Sequence, residues 1–443
     1  MSNQSSNQPS NQSSYPLSKQ LHFNAFQMLT PGANGQWRSD RNHRDHLSLR
    51  YWQDQATLLE RAGFDAIFFA DILGVFETRE SGHELSVRDA HVFPLGDPFV
   101  LVSALASVTS KLGFVVTAST TYEPPFLLAR RFSTLDHFTQ GRVGWNIVTS
   151  YLDTAAANFG LDEQIDHDER YVRADEYIAV VEKLWLQSWD DDALVVDRAG
   201  GVYAEPGKVH QINHSGRYYS VRGPHSVEPS PQGKPVFFEA SASEAGFDFA
   251  AKHAEGLYTQ AGNIEKLRHN TDSVRERARA IGRKPEPRIF AAADIVVGHT
   301  TEEAREKARW LGSFASEESA LAWNGIDIRK YPRDTLLSEL ATFGTTRPLR
   351  SVNGRHDVTI QEYIDHIRTK SSDFSFVGTP GEVADQLEET AEAAGLDGFS
   401  VGSGHTPGVY EDFAELLTPE LRRRGVLPEL ADVSGTLRER LVG

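Results

Sequence analysis

Residues 113–150, GFVVTASTTYEPPFLLARRFSTLDHFTQGRVGWNIVTS, set two short apolar runs around one amphipathic helical segment. Gly113 to Ser119 and Gly141 to Val148 read as strands buried on both faces, the habit of parallel sheets. Between them Phe126, Leu127, Leu128, Ala129, Phe132, Leu135 and Phe138 recur at helical spacing, and the charges Arg130, Arg131 and Asp136 are expected on the opposite face. The unit is therefore βαβ. Polar residues gather at the C-terminal end of each strand: Thr117, Ser119, Thr120, Thr121 and Tyr122, then Asn146, Thr149 and Ser150. In parallel α/β sheets that edge is where ligands sit.

Working outward, the same unit repeats. Residues 1–18, MSNQSSNQPSNQSSYPLS, have almost nothing to bury and read as a disordered tail. Strands follow near 22, 67, 115, 144, 238, 258, 293 and 400, separated by helical patterns such as 47–63, 172–188, 264–281 and 381–394. Residues 190–230, acidic and rich in Gly and Pro, break the rhythm and suggest an insertion with a hairpin of Val209–Ile212 and Tyr218–Val221. A second interruption spans 313–376. Eight strands alternating with helices favour an α/β fold of the TIM (β/α)8 barrel type with two insertions, one domain over residues 19–443, above an open doubly wound sheet.

Composition narrows the function. The net charge of -17 repels nucleic acid and anionic lipid at long range, so a small anion would need local donors. With no cysteine, thiolate catalysis and Cys-ligated metals are excluded. No apolar run approaches the roughly 18 residues of a membrane span, and the N-terminus lacks a signal-peptide pattern, so a cytoplasmic location without membrane contact is expected. Neither G-x-G-x-x-G after a strand, Walker A nor H-E-x-x-H occurs. The histidines, His83 and His91 among them, show no metal-ligand spacing and read as solvated or packed, so no metal site is expected.

Three places carry chemistry-bearing residues. Asp71 ends the buried run Ala66–Ala70, where it either caps the following loop or faces a ligand. At the head of the long helix, Asp168 and Glu169 complement the positive helix end, while His167 and Tyr171, four apart, share a face that can meet one ligand. In Glu239-Ala-Ser-Ala-Ser-Glu-Ala-Gly246 a buried strand turns into a helix through small residues. That turn is either an anion site with Ser241 and Ser243 as donors, or a plain N-cap at Ser243 with Gly246 for close packing.

The stretches FFADILG (68–74), LGFVVTASTTYEPPFLLARRFSTLDHFTQGRVGWNIVTS (112–150), NFGLDEQIDHDERYVRADEY (158–177), PVFFEASASEAG (235–246) and FVGTPGEVADQL (376–387) together resemble a known family. It is that of the two-component, reduced-FMN-dependent monooxygenases of the bacterial luciferase-like superfamily. The branch resembled contains dibenzothiophene sulfone, nitrilotriacetate, EDTA and long-chain alkane monooxygenases. The resemblance implies a TIM barrel and a flavin that carries the chemistry, with no catalytic side chain assigned. It implies Asp71 and Thr117 near the isoalloxazine ring, Asn146 at its polar edge, and His167, Tyr171, Ser241 and Ser243 at the phosphate. It also implies reduced FMN and O2 as co-substrates and a separate NAD(P)H:flavin reductase as partner. A homo-oligomer, dimer or tetramer, is expected.

Such chemistry needs an apolar chamber that excludes water. Phe26, Phe69, Phe76, Tyr122 and Trp323 are the expected walls, with 313–376 as the lid. Two positions depart from the sulfone-oxidising pattern: Asn34 and Trp323 stand where those enzymes carry histidines. A small apolar or aromatic substrate, of the xenobiotic or organosulfur kind, is expected above a polycarboxylate. Three alternatives stay open: a deazaflavin-dependent oxidoreductase, an aminopolycarboxylate-type N-dealkylating monooxygenase and a non-catalytic flavin-binding protein.

Overall fold

A computed structural model describes residues 20–32, 35–40, 42, 45–343, 355, 357–369, 374–402 and 405–442. The expected tail over 1–18 and Asn34 lie outside them. Eight strands form the central sheet: β1 (His22–Gln27), β2 (Ala66–Phe69), β3 (Gly113–Ser119), β4 (Val143–Val148), β5 (Val236–Ala240), β6 (Gly256–Thr259), β7 (Arg288–Val297) and β8 (Gly398–Gly402). Each pairs in parallel with its neighbours, and the β8–β1 and β6–β7 pairings close the ring. The architecture is a TIM barrel. Ser375–Gly378, which the sequence reading did not count, adds a ninth strand outside the ring against the far end of β7.

Alternation along each strand sorts side chains into two cores. Phe68, Val115, Val236, Phe238, Tyr258 and Phe290 fill the barrel interior, with Phe68 stacked on Tyr258 at 4.2 Å. Leu437 and Leu441 of the last helix, Leu437–Leu441, plug the N-terminal end of this core. Gly256 is required here, since a Cβ would come within 2.5 Å of the Phe238 ring. The outward side chains meet the helices. Trp145 of β4 lies against Phe132, Phe237 and Trp185 and donates its indole N–H to the Ala118 carbonyl at 3.1 Å.

The helix of the opening module, Pro125–Thr139, starts on Pro125 and ends at Gln140 in the left-handed region, φ 55°. Its expected faces need correction. Asp136 is buried and accepts hydrogen bonds from the Gln232 backbone N–H at 2.9 Å and Nε2 at 2.6 Å, whereas Leu127 and Phe138 are exposed. Position 136 lies four residues past Phe132, on the buried stripe, and hydrogen bonds there satisfy its polarity.

The insertions also differ from expectation. Residues 190–230 hold two hairpins, Leu194–Asp197 with Val202–Ala204 and His214–Ser215 with Ser220–Val221. Val209–Ile212 is not a strand; Val209 makes only an isolated bridge to Trp189. The second insertion has its own apolar cluster, including Leu321, Ile326, Ile328, Leu337 and Ile364. Among the described residues no helix is long and apolar enough to cross a membrane, and no group of three His, Cys, Asp or Glu is arranged to hold a metal ion.

Candidate active site

The C-terminal rim of the barrel carries the polar residues singled out from the sequence. Thr117 and Asn146 face the interior from within β3 and β4, directly paired in register. Asn146 Nδ2 donates to Thr117 Oγ1 at 2.8 Å. The Asn146 carbonyl oxygen is buried without a hydrogen-bond partner. An orphaned acceptor in a dry interior is costly unless a ligand N–H or O–H completes it. Around it Ser119 Oγ meets Ser150 Oγ at 2.9 Å, and Thr121 Oγ1 donates to the Thr149 carbonyl at 2.7 Å, tying the two loops together.

Asp71 stands just past β2 and does cap its loop, accepting from the Ile72 N–H at 2.9 Å. Burial, the nearby Asp97 carboxylate and, more weakly, Glu123 oppose its ionisation and push its pKa up to about 7. At neutral pH it is therefore divided between acid and carboxylate, able to donate or accept.

On the outer side of the rim a second cluster forms. Asp166 is the N-cap of the helix His167–Gln187, accepting from the N–H groups of Asp168 and Glu169. The two acids read as complements of the helix end make other bonds as well: Asp168 meets His167 Nδ1 at 2.8 Å, and Glu169 takes the Tyr218 hydroxyl at 2.5 Å and Arg217 at 3.1 Å. The His167 and Tyr171 rings share one face, 5.3 Å apart. Tyr171 reaches the hydroxyls of Ser241 and Ser243, and burial, then the Glu239 carboxyl, push its pKa up. Ser243 caps the helix Glu244–His253, accepting from the Gly246 N–H at 3.2 Å, while Ser241 Oγ accepts from the Ser243 N–H at 3.2 Å. The cap reading of Ser243 thus holds, and its hydroxyl still faces Tyr171. A Cβ on Gly246 would run into Ser241 Oγ, so this glycine is what lets the strand-to-helix turn close around hydroxyl and amide donors. That arrangement suits an anion.

The third component is aromatic. Phe76 packs edge-on to Trp323 at 4.7 Å and to His91 at 5.4 Å, and His91 meets Trp323 at 4.8 Å. Phe26, Met28, Ala70, Ile72, Tyr122, Tyr151 and Leu152 belong to the same cluster. Tyr122 stacks on Phe159 at 4.6 Å, and its oxygen accepts from Gln164 Nε2 at 2.9 Å. Phe69 is the exception among the expected walls: it points outward from β2 onto Trp52 at 5.7 Å, because its neighbour Phe68 takes the inward position. His91, Tyr151 and Phe159 were not read as walls. Nothing local in sequence marks them, since the contacts join segments far apart in the chain.

Trp323 arrives on the second insertion, which polar contacts hold in place. Asp327 accepts from Ser81 Oγ at 2.9 Å and from Arg329 at 2.6 Å, and the Tyr331 hydroxyl donates to Glu80 at 2.5 Å. Asp89, buried, receives Arg38, Ser316 and Ser319. Glu239 was also missed as a site residue, although one acid in the apolar run Val236–Ala240 is a visible signal.

The rim thus joins three features: an orphaned polar acceptor in the barrel mouth, a donor-lined turn that suits an anion and a packed aromatic cluster. Comparison with known proteins is consistent with that combination. The luciferase-like monooxygenase family model matches residues 25–409. The chain is 42% identical over 435 residues to the long-chain alkane monooxygenase of Geobacillus thermodenitrificans (strain NG80-2), covering 96% of this chain and 95% of that one. It is 41% identical over 438 residues to the dimethyl-sulfide monooxygenase of Hyphomicrobium sulfonivorans, covering 96% and 91%. The crystal structure of a riboflavin lyase (RcaE) with modified FMN and substrate riboflavin superposes with a TM-score of 0.86 at 36% identity, over 96% of both chains. With its barrel, its rim and a match over most of its length, the chain belongs to the luciferase-like monooxygenases and is a flavin-dependent monooxygenase.

Proposed function

We propose that this chain is the oxygenase of a two-component system, taking reduced FMN from a separate NAD(P)H:flavin reductase and oxygenating a small apolar or aromatic compound. The observation that carries the reading is the orphaned side-chain carbonyl oxygen of Asn146 on the rim that also carries the aromatic cluster. Flavin presents a polar ring edge with an N–H that this acceptor would receive, and its phosphate suits the turn at Tyr171, His167, Ser241 and Ser243. Thr117 holds Asn146 in orientation through their 2.8 Å hydrogen bond. Asp71, near its own pKa at neutral pH, would hold or yield a proton beside the ring.

Reduced FMN held there would supply the two electrons with which dioxygen gives one oxygen atom to the substrate and the other to water. The chain binds, orients and keeps water out. Phe26, Phe76, Tyr122 and Trp323 form the substrate's surroundings, and the Trp323 indole opposite Phe76 favours apolar or aromatic groups above a polycarboxylate. The absence of a dinucleotide fingerprint from the sequence supports delivery of the reduced flavin by another protein.

The test is oxygen-18 incorporation with enzymatically reduced FMN across sulfides, sulfones, alkanes, chlorinated aromatics and amines. One labelled atom in the product is expected from an apolar member of the panel. Turnover only with a reduced deazaflavin, without label, would replace this reading with hydride transfer.

A further inference from the structure

Three consecutive residues of one loop grip the turn that carries Trp323. After β2 the chain runs through Phe76 into a tight turn closed by the Thr78–Gly82 bridge, whose two backbone bonds are both 2.8 Å, with Arg79, Glu80 and Ser81 at its tip. All three reach the second insertion just past Trp323. The Arg79 N–H donates to the Gly325 carbonyl at 3.0 Å, Glu80 Oε2 accepts from the Asp327 N–H at 2.9 Å, and Ser81 Oγ donates to Asp327 Oδ2 at 2.9 Å. The other Glu80 oxygen takes the Tyr331 hydroxyl at 2.5 Å. Asp327 is fully buried, and Arg329 fills the rest of its carboxylate, giving Nε to Oδ1 at 2.8 Å and Nη2 to Oδ2 at 2.6 Å. A two-pronged pair of this kind fixes orientation as well as contact.

We infer that Asp327, seconded by Glu80, is a positioning residue for the substrate: from outside the aromatic cluster it holds the Trp323 indole in place against Phe76. This rests on the placement of the substrate between those two rings proposed above. On one side of the grip Trp323 stands two residues before Gly325, in the short helical turn Ala322–Asn324. On the other, Phe76 stands three residues before Arg79, and its carbonyl accepts from Ser86 Oγ at 2.6 Å, so this ring is anchored independently. Apolar burial is non-directional and by itself would let the indole slide over Phe76. The hydrogen bonds at 325–331 are directional and select one position, the edge-on contact at 4.7 Å. Gly325, at φ 71°, makes the bend between Trp323 and Asp327, and a Cβ there would run into the Phe343 carbonyl.

The experiment labels the seven tryptophans of the full chain with 5-fluorotryptophan and follows them by fluorine NMR with oxidised FMN present, the Trp323 line being assigned with Trp323→Phe. In Asp327→Ala and in Glu80→Ala the Trp323 line should move, and its shift between H2O and D2O should grow towards that of exposed Trp37. The lines of Trp52, Trp145, Trp185 and Trp189, and FMN affinity, should stay as in wild type. Glu80→Gln keeps an oxygen for the Asp327 N–H and an amide donor for the Tyr331 oxygen, so it should leave the Trp323 line in place. Naphthalene, an apolar aromatic probe, should shift the wild-type Trp323 line and bind Asp327→Ala roughly fivefold more weakly, as loss of one aromatic contact would. Asp327→Ala/Trp323→Ala should bind it no more weakly than Trp323→Ala, because Asp327 acts through the indole. A Trp323 line unmoved in Asp327→Ala and Glu80→Ala, a Glu80→Gln variant displaced like Glu80→Ala, movement of all the lines together, or additive losses would each overturn the inference. If naphthalene leaves the wild-type Trp323 line unshifted while Asp327→Ala displaces it, Asp327 still positions the indole and the substrate placement is what fails.

Discussion

Asp71→Asn should make this protein more stable at neutral pH and leave it unchanged near pH 4. The Asp71 pKa rises from 3.8 to about 7 on folding, roughly three units. At about 1.36 kcal/mol per unit the ceiling is about 4 kcal/mol. Asp71 keeps some contact with solvent, and screening reduces the effect to about 2 kcal/mol. The sign follows from proton counts. Between the two pKa values the unfolded chain is ionised at this site while the native protein still holds the proton, so native stability falls as pH rises. The contribution is fully present below the unfolded pKa and gone above about 7. Asparagine keeps an acceptor for the Ile72 N–H and carries no charge to desolvate. At about 2.1 cal/mol/K per residue, 443 residues give an unfolding entropy near 0.9 kcal/mol/K, so about 2 kcal/mol corresponds to roughly 2 °C in Tm. Melts of both proteins from pH 4.5 to 8.5 should diverge up to pH 7 and run parallel above it. Asp97→Asn should shrink the divergence by lowering the Asp71 pKa. A Tm difference that is the same at pH 5 and pH 8 would refute the argument.

Three further outcomes are expected. Asn146→Ala removes both the orphaned acceptor and the bond to Thr117; FMN and riboflavin affinity should fall together by about tenfold, a loss of about 1.4 kcal/mol, with the melting curve little changed. Trp323→Ala takes the indole away from Phe76 and His91, so water should enter the chamber, and dioxygen consumed per molecule of product, followed with an oxygen electrode, should rise severalfold. Asp136→Ala takes the acceptor from the Gln232 backbone N–H and leaves its Nε2 only the Val143 carbonyl; it should cost about 1 to 3 kcal/mol in urea unfolding while leaving flavin affinity untouched.

The barrel was legible because its strands are short apolar runs bounded by polar turns, a pattern that burial on both faces imposes. The seven residues of β3 and the six of β4 fall where the Val-rich runs are. Periodicity also contained the correct position of Asp136, on the stripe of Leu128, Ala129 and Phe132; its charge argued for the wrong face, and only the Gln232 side chain, 96 residues on, resolves the conflict. The Phe68-Phe69 pair shows the limit from the other side. One must point in and one out, yet nothing within FFADILG says which, because the phase of a strand is set by its closed neighbours. The hairpin over 194–204 was invisible because its residues are exposed on both faces and carry no alternation.

The site divides along the same line. The polar groups of the rim, Asp71, Thr117, Asn146, Tyr171, Ser241 and Ser243, were legible as a pattern, since they stand at strand ends or a helix head. The aromatic cluster was legible only in part: Phe26, Phe76, Tyr122 and Trp323 were named, whereas His91 and Tyr151 join them only through the fold. In a chain of net charge -17, an anion that reaches the rim meets long-range repulsion, so only local donors can hold it. The turn between β5 and the helix Glu244–His253 gathers such donors because Gly246 has no Cβ to collide with Ser241 Oγ, and Ser243 caps the helix through the Gly246 N–H.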